Sequence, residues 1–437
     1  MLLACAGVVW AQTTEPGRDK PDSPSQQNAR SDVIRGSYIV VLEDGDQAAS
    51  NEPEARRVAK ELSRQNQVGE VTHVYGAALT GFSAEIPVRK VDAVRSDSRV
   101  AFVARDREVH ASAQNLPTGV NRVDADLSSV ATGDGTGAVD ADIAILDSGI
   151  FARHPDLTVA GGVDCSTDGK ANFFSDDNGH GSHVAGTAGA EDNAAGVVGT
   201  APGARLWAVK VLDASGSGSF SNVVCGIDWV TANASTIEVA NMSLSARTTD
   251  DGTADDGNCG LDNSDPMHQA ICASVAAGVP YAVAAGNDGR NASNYAPASY
   301  DEVITVSALA DYDGEPGGLL PNTCEQDPQI DDDFAFFSNF GPDIDIGAPG
   351  VCIESTWKGI KKKNRVVPGY RIISGTSMAS PHVTGAAAVY LANTNPTATP
   401  DEVRSFVIAP ENSEAVDEGH TDRFNLNPEP VLQMDNY

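Results

Sequence analysis

The stretch Ser374-Gly375-Thr376-Ser377-Met378-Ala379-Ser380-Pro381-His382-Val383 constrains this chain most, because it sets a serine hydroxyl at a glycine-preceded junction between loop and helix. Val383, Gly385, Ala386, Ala387, Ala388, Val389 and Leu391 follow, small and apolar on every face, the pattern of a helix buried on all sides. Pro381 is expected near the first turn, where a missing N–H costs least. A serine at such a helix start has its Oγ held at a fixed angle, and the free backbone N–H groups beside it can receive an oxyanion. A capped core helix would look the same in isolation. The reading of Ser377 as a nucleophile therefore depends on what the rest of the chain supplies.

Beyond about residue 111, short β-rich runs alternate with helical stretches. The runs are Ile143 to Leu146, Arg205 to Leu212, Ile237 to Met242, Tyr281 to Ala285 and Val303 to Val306, and the helices fall near residues 180–190, 220–233 and 267–277. This alternation predicts an α/β domain with a doubly wound parallel sheet. Ligands in such folds bind beyond the carboxyl ends of the strands, so the residues that follow each run matter most. The interval Arg247 to Pro266, crowded with Asp, Gly and Asn, is expected as a long surface loop.

Three further candidates stand at strand ends or at a helix start. Asp147 directly follows Ile143-Ala144-Ile145-Leu146, where a buried carboxylate could orient a histidine. His180 opens a small-residue helix in Asn178-Gly179-His180-Gly181-Ser182-His183, and the absence of a Glu between His180 and His183 argues against a zinc pair. Asn287 ends Tyr281 to Gly286 with an amide free to donate to an oxyanion. Acyl transfer needs this set: an oxygen nucleophile, an imidazole to take and return its proton, a carboxylate to hold the tautomer, and donors aimed at the developing negative charge. The order Asp, His, Ser excludes an α/β-hydrolase, whose G-x-S-x-G elbow is also broken here by Ala379. It is the chain order of subtilisin.

The chain resembles the subtilase serine proteases, in the proteinase K-like and bacterial secreted branches, from Ser37 to about Val407. Asp147-Ser148-Gly149-Ile150, His180 to Thr187, Ala285-Gly286-Asn287 and Gly375 to His382 match the four functional motifs of that family in order. The resemblance implies a secreted endopeptidase acting on protein or peptide substrates through Asp147, His180 and Ser377, with Asn287 as oxyanion donor. It implies that substrate backbone pairs with Ser243, Leu244 and Ser245, and that Ala284, Ala285 and Gly286 form the opposite wall of the S1 pocket. The family's usual Ser-Leu-Gly-Gly reads Ser243-Leu244-Ser245-Ala246 here, which should narrow the pocket mouth. It also implies structural calcium at Asp345, with carbonyls from Asp301 and Val303, and no catalytic cofactor. The related Ser-Glu-Asp peptidases are disfavoured by His180 and Asn287.

Residues 37–110 read as strand, helix, two strands, helix, strand, the split βαβ order of a ferredoxin-like α+β module. The resemblance makes this the inhibitory propeptide of the peptidase domain at 111–437, with self-cleavage in His110-Ala111-Ser112-Ala113-Gln114-Asn115. Residues 1–11 read as a partial or atypical signal peptide and 12–36 as a disordered lead-in. Charge divides the chain in the same place: residues 1–110 carry 14 basic and 16 acidic side chains, and the remainder 15 and 45, giving a net charge of -32. Nucleic acid and anionic membrane are poor partners for that surface, and a monomer is expected. Leaving aside Cys5, six cysteines without a CxxC pair favour disulfides. Of the 15 possible connectivities, the expected one is Cys165 with Cys225, Cys259 with Cys272 and Cys324 with Cys352.

Overall fold

The computed structural model describes residues 33–43, 52–65, 68–77, 79–107, 114–166, 174–248, 255–316, 329–362, 365–410, 412–414 and 429–437. The expected signal peptide and most of the lead-in lie outside these residues, as do Cys324 and residues 110–113 of the expected cleavage segment. The chain divides into two compact units, Met1–Ala111 and Ser112–Tyr437.

In the first unit, strands Val33–Leu42, Val71–Tyr75, Gly81–Glu85 and Val100–Arg107 make an antiparallel sheet in which the first strand lies between the third and fourth. This is the split βαβ plan. The first strand begins at Val33, four residues before the boundary expected at Ser37, because Val33 pairs with Arg107 across a register shift. Helix Glu52–Arg64 buries Val58 and Leu62, four apart on one face, against Val40, Phe82 and Val94.

The second unit is built on a nine-stranded sheet. Across it run Ser413–Glu414, Val431–Leu432, Ile346–Pro349, Ile304–Leu309, Tyr281–Ala284, Val239–Met242, Asp142–Asp147, Arg205–Lys210 and Val159–Asp164, all parallel except the first. Both faces are covered, and strand Asp142–Asp147 shows why it is apolar throughout: Ile143 and Ile145 enter one core while Ala144 and Leu146 enter the other. Helices His180–Gly189 and Thr376–Val389 pack in the first core. Helices Phe220–Ala232 and Pro266–Ala276 contribute Val223, Ile227, Met267 and Ile271 to the second.

Cys165 joins Cys225 and Cys259 joins Cys272, as expected, and Cys352 is also disulfide-bonded. Two further features differ from the sequence reading. Pro381 lies inside helix Thr376–Val389 and not in its first turn. A β-hairpin, Ile353–Lys362 with Arg365–Ile373, was not anticipated, since its strands are polar and interrupted by lysines.

Candidate active site

Asp147 is the last residue of its strand and fully buried, and its Oδ1 accepts from the backbone N–H of Ser148 at 2.6 Å. His180 Nδ1 donates to both carboxylate oxygens, at 2.8 and 2.9 Å. One loop aligns the two. Asp176 Oδ1 accepts from the backbone of Asn178 and Gly179 and from Ser148 Oγ, while its Oδ2 accepts from Ser182, so the start of the His180 helix and the end of the Asp147 strand share one buried carboxylate. Gly179 has a left-handed φ of 115°, and a Cβ there would lie 2.3 Å from the Trp357 ring. The unforeseen hairpin thus clasps this helix, with Ser355 and Thr356 hydroxyls donating to the carbonyls of His183 and Ser182.

Burial is the largest influence on His180 and opposes its charge. The Asp147 carboxylate and its hydrogen bond, with Asp176 behind, outweigh it and raise the pKa above 6.5. His183 and His382 behave oppositely. Burial drives them down to about 3 and about 4, so both are neutral structural groups. His183 Nε2 lies 3.0 Å from the carbonyls of Ile353 and Arg371, a packing role and not a metal ligand.

Ser377 stands in the first turn of its helix, and its Oγ donates to the carbonyl of Ser243 at 3.3 Å. His180, Ser377, Ser243, Leu244 and Ser245 line one cavity of about 550 Å³, together with Gly218, Phe220 and Met267. The last three escaped the sequence reading because they come from segments with no motif. Asn287 is exposed, and its Oδ1 accepts from Thr376 N (2.8 Å) and Thr376 Oγ1 (3.0 Å), which leaves the amide NH₂ uncommitted to that contact.

Ala284, Ala285 and Gly286 are buried. Gly286 has a φ of 103°, and a Cβ there would meet Ser245 Oγ at 3.1 Å. Asn339, not foreseen, organises this loop. Its Nδ2 donates to Ala285 O at 2.8 Å, and its Oδ1 accepts from the backbone of Asp288 and Arg290.

Asp345, the carboxylate expected to hold calcium, has protein partners on both oxygens. Asp345 Oδ2 accepts from Thr305 N at 2.8 Å and its Oδ1 is paired with Arg404. Next to it, Asp343 has one buried carboxylate oxygen without a partner. Burial, reinforced by Asp301, Asp255 and Asp345, pushes Asp343 up to about 6.

A doubly wound sheet whose carboxyl edge opens an imidazole and a serine hydroxyl onto one cavity belongs to the class of serine hydrolases. Comparison with known proteins narrows this. A model of the subtilase family matches residues 140–424 and a model of peptidase inhibitor I9 matches residues 37–112. An extracellular serine proteinase of Thermus sp. (strain Rt41A) is 34% identical over 435 residues, 93% of this chain and 92% of its own. Subtilisin NAT of Bacillus subtilis subsp. natto is 35% identical over 327 residues, 74% of this chain and 73% of its own. The crystal structure of a cold adapted subtilisin-like serine proteinase superposes with a TM-score of 0.55 at 27% identity, covering 74% of this chain and 99% of that one. The chain belongs to the subtilase family of serine proteases, and an I9 inhibitor domain precedes its peptidase domain. Among the described residues no helix is long and apolar enough to cross a membrane.

Proposed function

We propose that this protease is an exported endopeptidase that cleaves peptide bonds through an acyl-enzyme on Ser377. The observation that supports this most is the double contact of Asp147 with His180 Nδ1, which commits that nitrogen's proton and leaves Nε2 as the proton acceptor beside the cavity that Ser377 lines. His180 Nε2 takes the Ser377 proton as Oγ bonds to the scissile carbonyl carbon. The carbonyl oxygen gains the charge and is stabilised by the Asn287 amide and the Ser377 N–H. Collapse breaks the C–N bond, and the leaving amine carries away the proton held by His180. Water, deprotonated by the same nitrogen, then releases the acid and restores Ser377. Substrate backbone lies along Ser243, Leu244 and Ser245, opposite Ala284, Ala285 and Gly286.

Residues 37–110, within the first unit, act as the enzyme's own inhibitor until the chain is cut within His110 to Asn115. Asp345, with the carbonyls of Asp301 and Val303, would hold a calcium ion, whose charge would offset the surplus of carboxylates around Asp343. A hard oxygen-only site suits that ion, and the Arg404 guanidinium shares the same carboxylate.

Two measurements on one pair of samples test the reading. Wild type should be labelled by a fluorophosphonate at Ser377 and, on export, yield a species shorter by the first unit. Ser377→Ala should be neither labelled nor shortened. Cleavage of Ser377→Ala at the same segment in a protease-deficient host would assign the processing to another enzyme.

A further inference from the structure

Away from the cavity, strand Ile304–Leu309 runs into a buried turn where the chain folds back on itself. Leu309 bridges Phe334, Ala310 N donates to the Asp333 carbonyl, and Asp332 N donates to the Ala310 carbonyl. Asp311, Asp313 and Asp331 converge at this crossing, each offering a carboxylate oxygen, and these atoms lie within 4.8 Å of one another. That spacing is what a shared ion demands, since oxygens bound to one Ca²⁺ at about 2.4 Å lie at most about 4.8 Å apart.

A group of acids alone could be a solvated surface, but Asp311 and Asp331 are only 1% and 2% exposed. Asp311 Oδ1 accepts from Gly314 N at 3.0 Å, and its other oxygen is fully buried with no partner. Leaving a charged oxygen that way costs several kcal/mol unless a cation or a proton is present. The cation whose field reaches Asp311 is Arg122, whose Nε already donates to Asp332 at 2.9 Å.

We propose that Asp311, Asp313 and Asp331 bind a divalent cation of the calcium class, which clasps the segment at 309–315 to the segment at 330–335. Oxygen-only ligands select a hard ion over zinc or copper. The site is separate from the one at Asp345. Its second segment continues to Asn339, the residue that holds Ala285 and the backbone of Asp288 and Arg290 around Asn287. A bound cation would therefore brace the loop carrying the oxyanion donor from a distance.

The test uses the full chain carrying Ser377→Ala, so that no proteolysis intervenes. Terbium luminescence, sensitised by Tyr312 in the same turn, and its displacement by calcium are measured for this protein and with Asp311→Asn, Asp313→Asn or Asp345→Ala added. Asp313→Asn, at a partly exposed position, should fold and bind calcium at least about tenfold more weakly at one site. Asp311→Asn should abolish that binding, and Asp345→Ala should leave it intact. Unchanged stoichiometry and affinity in both Asp313→Asn and Asp311→Asn would mean that Asp311 simply carries a proton, overturning the proposal. Loss of all binding in Asp345→Ala alone would overturn it as well, by placing the metal at the other site.

Discussion

Ser243 and Ser377 exchange hydrogen bonds in both directions: Ser243 Oγ donates to the Ser377 carbonyl at 2.8 Å, and Ser377 Oγ donates to the Ser243 carbonyl at 3.3 Å. The first of these stands where a helical bond is missing. Four residues beyond Ser377 in the helix, Pro381 has no N–H to offer the Ser377 carbonyl, which Ser243 Oγ reaches instead. Ser243→Ala removes that donor while leaving the backbone carbonyl in place. We expect a loss of about 1–3 kcal/mol in stability, read as a lower denaturant midpoint with unchanged slope. Unchanged stability would mean that water replaces the hydroxyl.

Asn287→Ala should leave folding and KM nearly unchanged and lower kcat by about two to three orders of magnitude, the size recorded when the single side-chain oxyanion donor of subtilisin is removed. A raised KM at constant kcat would assign Asn287 to ground-state binding instead.

As the proposed general base, His180 would have to be neutral, while Asp147 favours the charged ring. Activity should therefore rise with pH through a midpoint above 6.5, the ordinary value from which His180 is raised. The stabilisation from the charged pair runs the other way: it is fully present below about 6.5 and is lost as pH climbs through the folded value. In Asp147→Asn, burial acts with only Asp176 against it, so the ring's titration should move down. The rate should also fall by on the order of 10⁴ through the wrong tautomer. An NMR titration of His180 in both proteins reads the shift, and a midpoint that stays in place would sink the assignment of Asp147 as its partner.

Chelation tests the calcium reading at Asp345. EDTA should lower the Tm of wild type more than that of Asp345→Ala, because the variant has already lost the carboxylate. Equal losses in the two proteins would count against this site.

Local sequence decided a great deal here. The apolar runs and small-residue helices predict the doubly wound sheet, and Asp147, His180, Asn287 and Ser377 are legible because each sits at a strand end or helix start, where backbone geometry alone fixes how a side chain is presented. The disulfides Cys165–Cys225 and Cys259–Cys272 were legible too. Tertiary structure decided what depends on distant partners. Ser243 supplies the hydrogen bond that Pro381 cannot, Asn339 shapes the Asn287 loop from fifty residues away, and the polar hairpin at Ile353–Ile373 holds the His180 helix through Ser355 and Thr356. None of these has a periodic or motif signal, because a hydrogen bond between remote segments leaves no local pattern. The same holds for Asp311 and Asp331: in sequence they are two acids among many in an acidic domain, and only burial at a shared crossing turns their charge into something that has to be neutralised.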